Sequence, residues 1–148
     1  MERHCGTWYR TRTPDQLKIL RYGLGQTLYD GCQFEEARKT FEELVKESAD
    51  NIDYHGYLGV LAARRNDRAE AMKVSSWLEN LNRPYVYGDH LLWRAEIAAL
   101  LGEQDRAVMF LREAFAQGAA YGIQWHRDAD LESLREYRFY KELMKVKE

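Results

Sequence analysis

Histidines, cysteines and closely spaced carboxylates are the side chains through which a chain of this size could hold a metal or move protons, and all three types are present. The four histidines, His4, His55, His90 and His126, stand apart, and none has a His, Cys, Asp or Glu at the spacing of a metal site. Structural or solvent-facing places are expected for them. His126-Arg127-Asp128 has the letters of a kinase catalytic loop, but the downstream Asn, a Gly-rich loop and a DFG triplet are missing. Gly23-x-Gly25 lacks the third glycine of a dinucleotide fingerprint. Glu35-Glu36 and Glu42-Glu43 are spaced like a solvated helix face, and Asp89-His90 reads as a helix start. Cys5 and Cys32 form no CxxC, which reads as two reduced thiols in a cytoplasmic protein. The expectation is therefore no enzyme, no cofactor and no metal.

What remains as potential contact chemistry is aromatic: four Trp, ten Tyr and five Phe, side chains that give large contact area at low entropic cost. They lie in a chain of 148 residues, the length of one domain. With 22 Lys+Arg against 24 Asp+Glu the net charge is -2, which excludes a globally basic nucleic-acid binder or a membrane-surface protein. No run reaches the roughly 18–20 apolar residues of a membrane-spanning helix. Met1 to Arg12 carries no apolar segment of a secretory signal.

The elements that must position these aromatics repeat. Ala37, Ala71 and Ala107 each follow a small residue, Gly25, Gly59 and Ala95, by 12 positions, and the copies are offset by 34 and 36 residues. Leu24-Gly25 recurs as Leu58-Gly59, and Phe41, Ser75 and Leu111 occupy the matching position four residues beyond each alanine. Each unit reads as two helices. Thr13-Pro14-Asp15-Gln16 is a helix start, with Leu17, Leu20, Leu24 and Leu28 as one face, and Asp30-Gly31 as the break. Phe34, Ala37, Phe41 and Leu44 point inward from the next helix, as do Ala71, Val74, Trp77, Leu78 and Leu81 in the second unit. Gly102 and Gly118 stop the two helices of the third. Gly25 facing Ala37, Gly59 facing Ala71 and Ala95 facing Ala107 are the expected close contacts, which a larger residue would push apart at a cost of roughly 1–3 kcal/mol.

These residues resemble the tetratricopeptide repeat, a 34-residue helix–turn–helix. The resemblance covers residues 14–118 as units of about 14–50, 51–84 and 85–118. It departs from the pattern at Arg94, which replaces the leucine of the third unit, and at the family's first-helix Trp and Tyr positions. It implies an all-α fold, a right-handed superhelical array of antiparallel helix pairs. The run Asp128-Ala129-Asp130-Leu131 with Leu134-Arg135, Arg138-Phe139 and Leu143 is similar to the segment closing many bacterial arrays of this family, often at the C-terminus of signalling proteins. Residues 119–148 are accordingly expected to be capping helices, with Leu131, Leu134, Tyr137, Tyr140 and Leu143 inward. Residues 1–13 form a short N-terminal extension in which Trp8 and Tyr9 are the packing groups.

The resemblance further implies that first helices line a concave groove holding a peptide or partner helix. By the repeat alignment the first helix offers Ile19, Tyr22, Gln26 and Tyr29, the second unit Asp53, Tyr57, Val60 and Arg64, and the third Asp89, Trp93 and Glu96. Asp53, Asp89 and Glu96 against Arg64 favour a partner with basic and apolar residues and disfavour RNA. The leading expectation is a non-catalytic scaffold binding a protein or peptide, with no nucleic acid and no membrane. The alternative is an oligomerisation or regulatory C-terminal module of a larger bacterial signalling protein, self-associating through the apolar first helix.

Overall fold

Helix boundaries fall where capping chemistry puts them. In a computed structural model, which describes residues 13–145, α1 (Pro14–Asp30) opens on a capping box. The Gln16 amide donates to Thr13 Oγ1 at 3.3 Å, and the Thr13 amide to Gln16 Oε1 at 3.0 Å. Expectations for Met1 to Arg12, including Trp8, Tyr9, His4 and Cys5, lie outside the described residues. The chain continues as α2 (Phe34–Glu47), α3 (Ile52–Arg64), α4 (Arg68–Glu79), α5 (Asp89–Leu100) and α6 (Gln104–Ala116). A short α7 (Gln124–Arg127), a 3-10 turn at Glu132–Leu134 and α8 (Arg138–Leu143) follow. The described residues are all-α, with no strand, and none of their helices is long and apolar enough to cross a membrane.

One turn is built three times. Residues 31–33, 65–67 and 101–103 join α1 to α2, α3 to α4 and α5 to α6. In each, the middle residue takes a left-handed backbone: Cys32 at φ 59°, Asn66 at 60° and Gly102 at 78°. Its amide and the next return to the helix as Cys32→Tyr29 and Gln33→Leu28, Asn66→Ala63 and Asp67→Ala62, Gly102→Ala99 and Glu103→Ala98. This is the Schellman closure of a helix end. Gly118, at φ 103°, closes α6 in the same way. The short turns fold each pair back on itself as an αα-hairpin. Between the hairpins α3 packs against α2 and α5, and α4 packs against α5.

Two apolar clusters fill the hairpins. One gathers Phe41, Leu44, Leu61, Leu78 and Ile97; the other gathers Leu91, Leu111, Leu131, Leu134 and Tyr140. The small-residue contacts differ from expectation by about one helical turn. A Cβ on Gly25 would lie 2.8 Å from the Phe41 ring, and one on Gly59 would lie 2.5 Å from Ile97 Cδ1 and 2.9 Å from Val74. The glycines thus make room for large side chains on α2, α4 and α5, while Ala37 and Ala71 are buried among them.

The Leu17, Leu20 and Leu24 face of α1 is external. Instead, α1 buries Gly25 and Tyr29, with Tyr22 and Leu28 half-buried. Two apolar stripes share this helix, and the one carrying Gly25 is chosen because only there can Phe41 approach.

At the α4–α5 contact, Arg94 is 7 % exposed yet satisfied. It lies over the Phe110 ring at 4.3 Å, pairs with Glu79 at 3.1 Å and donates to Ser75 Oγ at 3.3 Å. Two departures from the repeat, Arg94 for leucine and Ser75 for a large apolar residue, therefore answer one another.

The C-terminal segment closes the far side without a long helix. Leu131, Leu134, Tyr140 and Met144 are buried there, Tyr137 and Leu143 half-buried, and Phe139 is exposed. Ser133 Oγ donates to the Ala99 carbonyl at 3.0 Å and Gln104 Nε2 to the Ser133 carbonyl at 2.8 Å, pinning the 3-10 turn to α5 and α6.

Candidate functional site

The three first helices of the hairpins, α1, α3 and α5, each send an aromatic ring toward the returning C-terminal segment. Trp93 on α5 lies flat against Gly56 of α3, where a Cβ would sit 2.1 Å from the indole, and its Nε1 donates to Asp53 Oδ1 at 3.1 Å. Tyr57 of α3 stacks on Phe41, ring centroids 4.3 Å apart and planes within 6°, and its hydroxyl accepts from Gln26 Nε2 at 3.3 Å. Trp93 is 4.8 Å from Tyr57, and Tyr57 is 5.4 Å from Tyr29. The rings form a continuous wall.

Beyond Tyr29 the wall ends in a buried charge network. The Tyr29 hydroxyl donates to the Asp130 carboxylate, 2.7 Å from either oxygen, and accepts from Arg64 Nε at 2.7 Å. Arg64 also pairs directly with Asp130 through Nη2. Asp130 is 6 % exposed and is presented by a turn in which its amide donates to Asp128 Oδ1 at 2.8 Å. Burial pushes the Tyr29 hydroxyl far above its ordinary range, and the Asp130 charge adds to this.

Between wall and network lies a cavity of about 330 Å³, lined by Tyr29, Asp30, Tyr57, Trp93, Glu96, Arg127 and residues 128–130. Glu96 is 7 % exposed, and its carboxyl faces the cavity without a hydrogen-bond partner among the described residues. Burial, then the Asp128, Asp130 and Asp53 charges, hold that carboxyl well above the usual carboxylate range. Asp128 is also raised, chiefly by burial.

Of the residues read from the repeat, Tyr29, Tyr57, Trp93 and Glu96 therefore line one cavity. Gln26, Asp53 and Arg64 stand behind it, each bonded to the wall or the network. Tyr22 packs against Phe41, Tyr54 and Tyr57, outside the lining, and Asp89 is exposed outside it. Val60 is fully buried, because it faces the packing side of α3, and Ile19 is 69 % exposed on α1. Asp30, Arg127, Asp128 and Asp130 were not read as site residues. The Asp-x-Asp of the closing run was legible as a motif, but its turn-rich segment has no period from which a direction could be inferred.

Elsewhere, His55 stacks on Trp77 at 3.8 Å, with its Nε2 2.7 Å from the Ala49 carbonyl, His90 Nδ1 is buried without a partner among the described residues, and His126 is exposed. Among the described residues no group of three His, Cys, Asp or Glu side chains is arranged to hold a metal ion, and Cys32 is free and exposed. Comparison of the chain with known family models, with curated proteins and with solved structures finds no match.

Proposed function

We propose that this chain is a non-catalytic binding module of the tetratricopeptide-repeat kind, a right-handed stack of three hairpins whose first helices line a groove for a basic, partly apolar peptide. The thrice-repeated turn and the packing of α3 on α5 as well as on α4 support the stacking. The observation that carries the function is the cavity itself: side chains from three successive first helices, separated by 28 to 39 residues in sequence, meet on one aromatic and acidic surface. Rigid aromatics held in advance lose little entropy on binding, which suits them to anchor a ligand.

Selection of a random peptide library on the immobilised chain tests this. Enriched peptides should share a basic residue beside apolar ones, and Tyr57→Ala with Trp93→Ala should abolish enrichment. Trp93→Leu serves if the double variant does not fold. No enrichment, or enrichment indifferent to these substitutions, refutes the reading.

One observation favours a second reading, self-association as a module of a larger bacterial signalling protein. Leu17, Leu20 and Leu24, spaced three and four apart, form an exposed seam along α1 that a second copy of α1 could cover.

A further inference from the structure

We infer that the cavity between α1, α3, α5 and residues 127–130 is a receptor for an organic cation on an aliphatic stem, an alkylammonium or guanidinium of lysine or arginine side-chain size. The inference rests on the binding reading above and gives it a ligand class.

Three observations converge. The first is the acid: Glu96 is 7 % exposed, faces the cavity and has no hydrogen-bond partner among the described residues. Its oxygens keep access only to the cavity, and a carboxyl this far desolvated with no protein donor is best completed by a cation. Asp130 is not equivalent, since Tyr29 and Arg64 already satisfy it. The second is the wall: Tyr57 and Trp93 both line the same space, and aromatic rings there attract ammonium and guanidinium groups. The bond to Asp53 and the seat on Gly56 hold Trp93 in place before any ligand arrives. The third is size, since about 330 Å³ is at the small end for a ligand site and suits a side chain, not a cofactor.

Two cations oppose the inference, and both are accounted for. Arg64 is held by Asp130 and Tyr29. Arg127 is exposed at the rim and makes no ion pair among the described residues. It is therefore a weak competitor for the same carboxylates.

Binding should also depend on pH. The titratable groups lining the cavity with Glu96 are Tyr29 and Asp30 from α1, Tyr57 from α3, and Arg127, Asp128 and Asp130 from the closing segment; behind them stand Asp53, whose charge also acts on Glu96, and Arg64, held by Asp130. Because Glu96 and Asp128 are both raised, the cavity gains negative charge as pH rises above the ordinary carboxylate range, and cation affinity rises with it.

The test titrates the full chain with Nα-acetyl-lysine methylamide, Nα-acetyl-arginine methylamide, butylammonium and the neutral isostere Nα-acetyl-norleucine methylamide. The Trp93 indole resonance and calorimetry provide the readouts. A charged probe should bind about tenfold or more tightly than the isostere, and more tightly at pH 8 than at pH 5. Tighter binding of a blocked amino acid identifies a peptide as the source of the cation, and tighter binding of butylammonium a free amine.

Glu96→Gln should remove the preference for charge. It should also leave the fold intact and raise the melting temperature at pH 8, because a carboxyl with a raised folded-state pKa costs stability as it ionises. Arg127→Ala should tighten binding severalfold. No charge preference, or binding that survives Glu96→Gln and is lost in Arg127→Ala, overturns the inference. Library peptides enriched without a basic residue refute the cation while leaving peptide binding standing. A bound cation with no peptide enrichment does the reverse.

Discussion

At their C-terminal end the packed hairpins are finished by a turn-rich segment that hides Leu131, Leu134, Tyr140 and Met144 against α5 and α6. At the other end Leu17, Leu20 and Leu24 of α1 remain 40, 47 and 52 % exposed. Both ends are rich in leucine, yet among the described residues only one is covered. The covered end uses hardly any helix: α8 spans six residues and the 3-10 turn three. An apolar helix face can be closed by a few anchored side chains, whereas leucines at helical spacing do not by themselves imply burial.

The largest expected effect breaks this contrast directly. Leu134 is fully buried, so Leu134→Ala should cost about 2–5 kcal/mol in urea unfolding. Leu24→Ala in a monomeric sample should change stability by no more than about 0.5 kcal/mol. Equal losses would abolish the difference between the ends. A Leu24→Ala loss that grows with protein concentration would instead reveal a second copy on α1.

A smaller effect probes how the covered end is attached to the rest. Asp130→Asn keeps the shape but leaves the Arg64 charge, only partly exposed, without its counter-ion. A loss of about 1–3 kcal/mol is expected by chemical denaturation. No measurable loss would show that the network does not hold the segment down.

The smallest effect compares the turns. Gly118, at the covered end, takes its left-handed backbone without strain, while Cys32, after α1, does so with a side chain. Cys32→Gly should raise stability by about 1 kcal/mol, read as a higher melting temperature. A decrease would mean that the Cys32 side chain contributes more than its backbone costs.

Much of the helical framework was legible in the sequence, because caps and turns are local chemistry. Thr13, Pro14, Gly102 and Gly118 act where their types predict, and the 34- and 36-residue offsets reappear as identical turns. The inward turn of Gly25 in α1 was legible, but its partner was not: the repeat spacing pointed to Ala37, and the large Phe41 ring one turn on takes the space instead. In the site, repeat spacing brought Tyr29, Tyr57, Trp93 and Glu96 into consideration together. Asp128 and Asp130 are legible as part of the closing run but not as site residues, because their contacts depend on a chain reversal that no periodicity encodes.

That reversal has a kinetic consequence. Hairpins that touch only their neighbours make contacts short in sequence, and such stacks tend to fray one unit at a time from a free end. The bond from Tyr29 to Asp130 spans 101 residues and joins the first hairpin to the closing segment. Fraying at either end must break it, which ties local opening to global unfolding. Its formation closes a loop of 101 residues, so it belongs among the late events of folding, after the hairpins have brought its partners near.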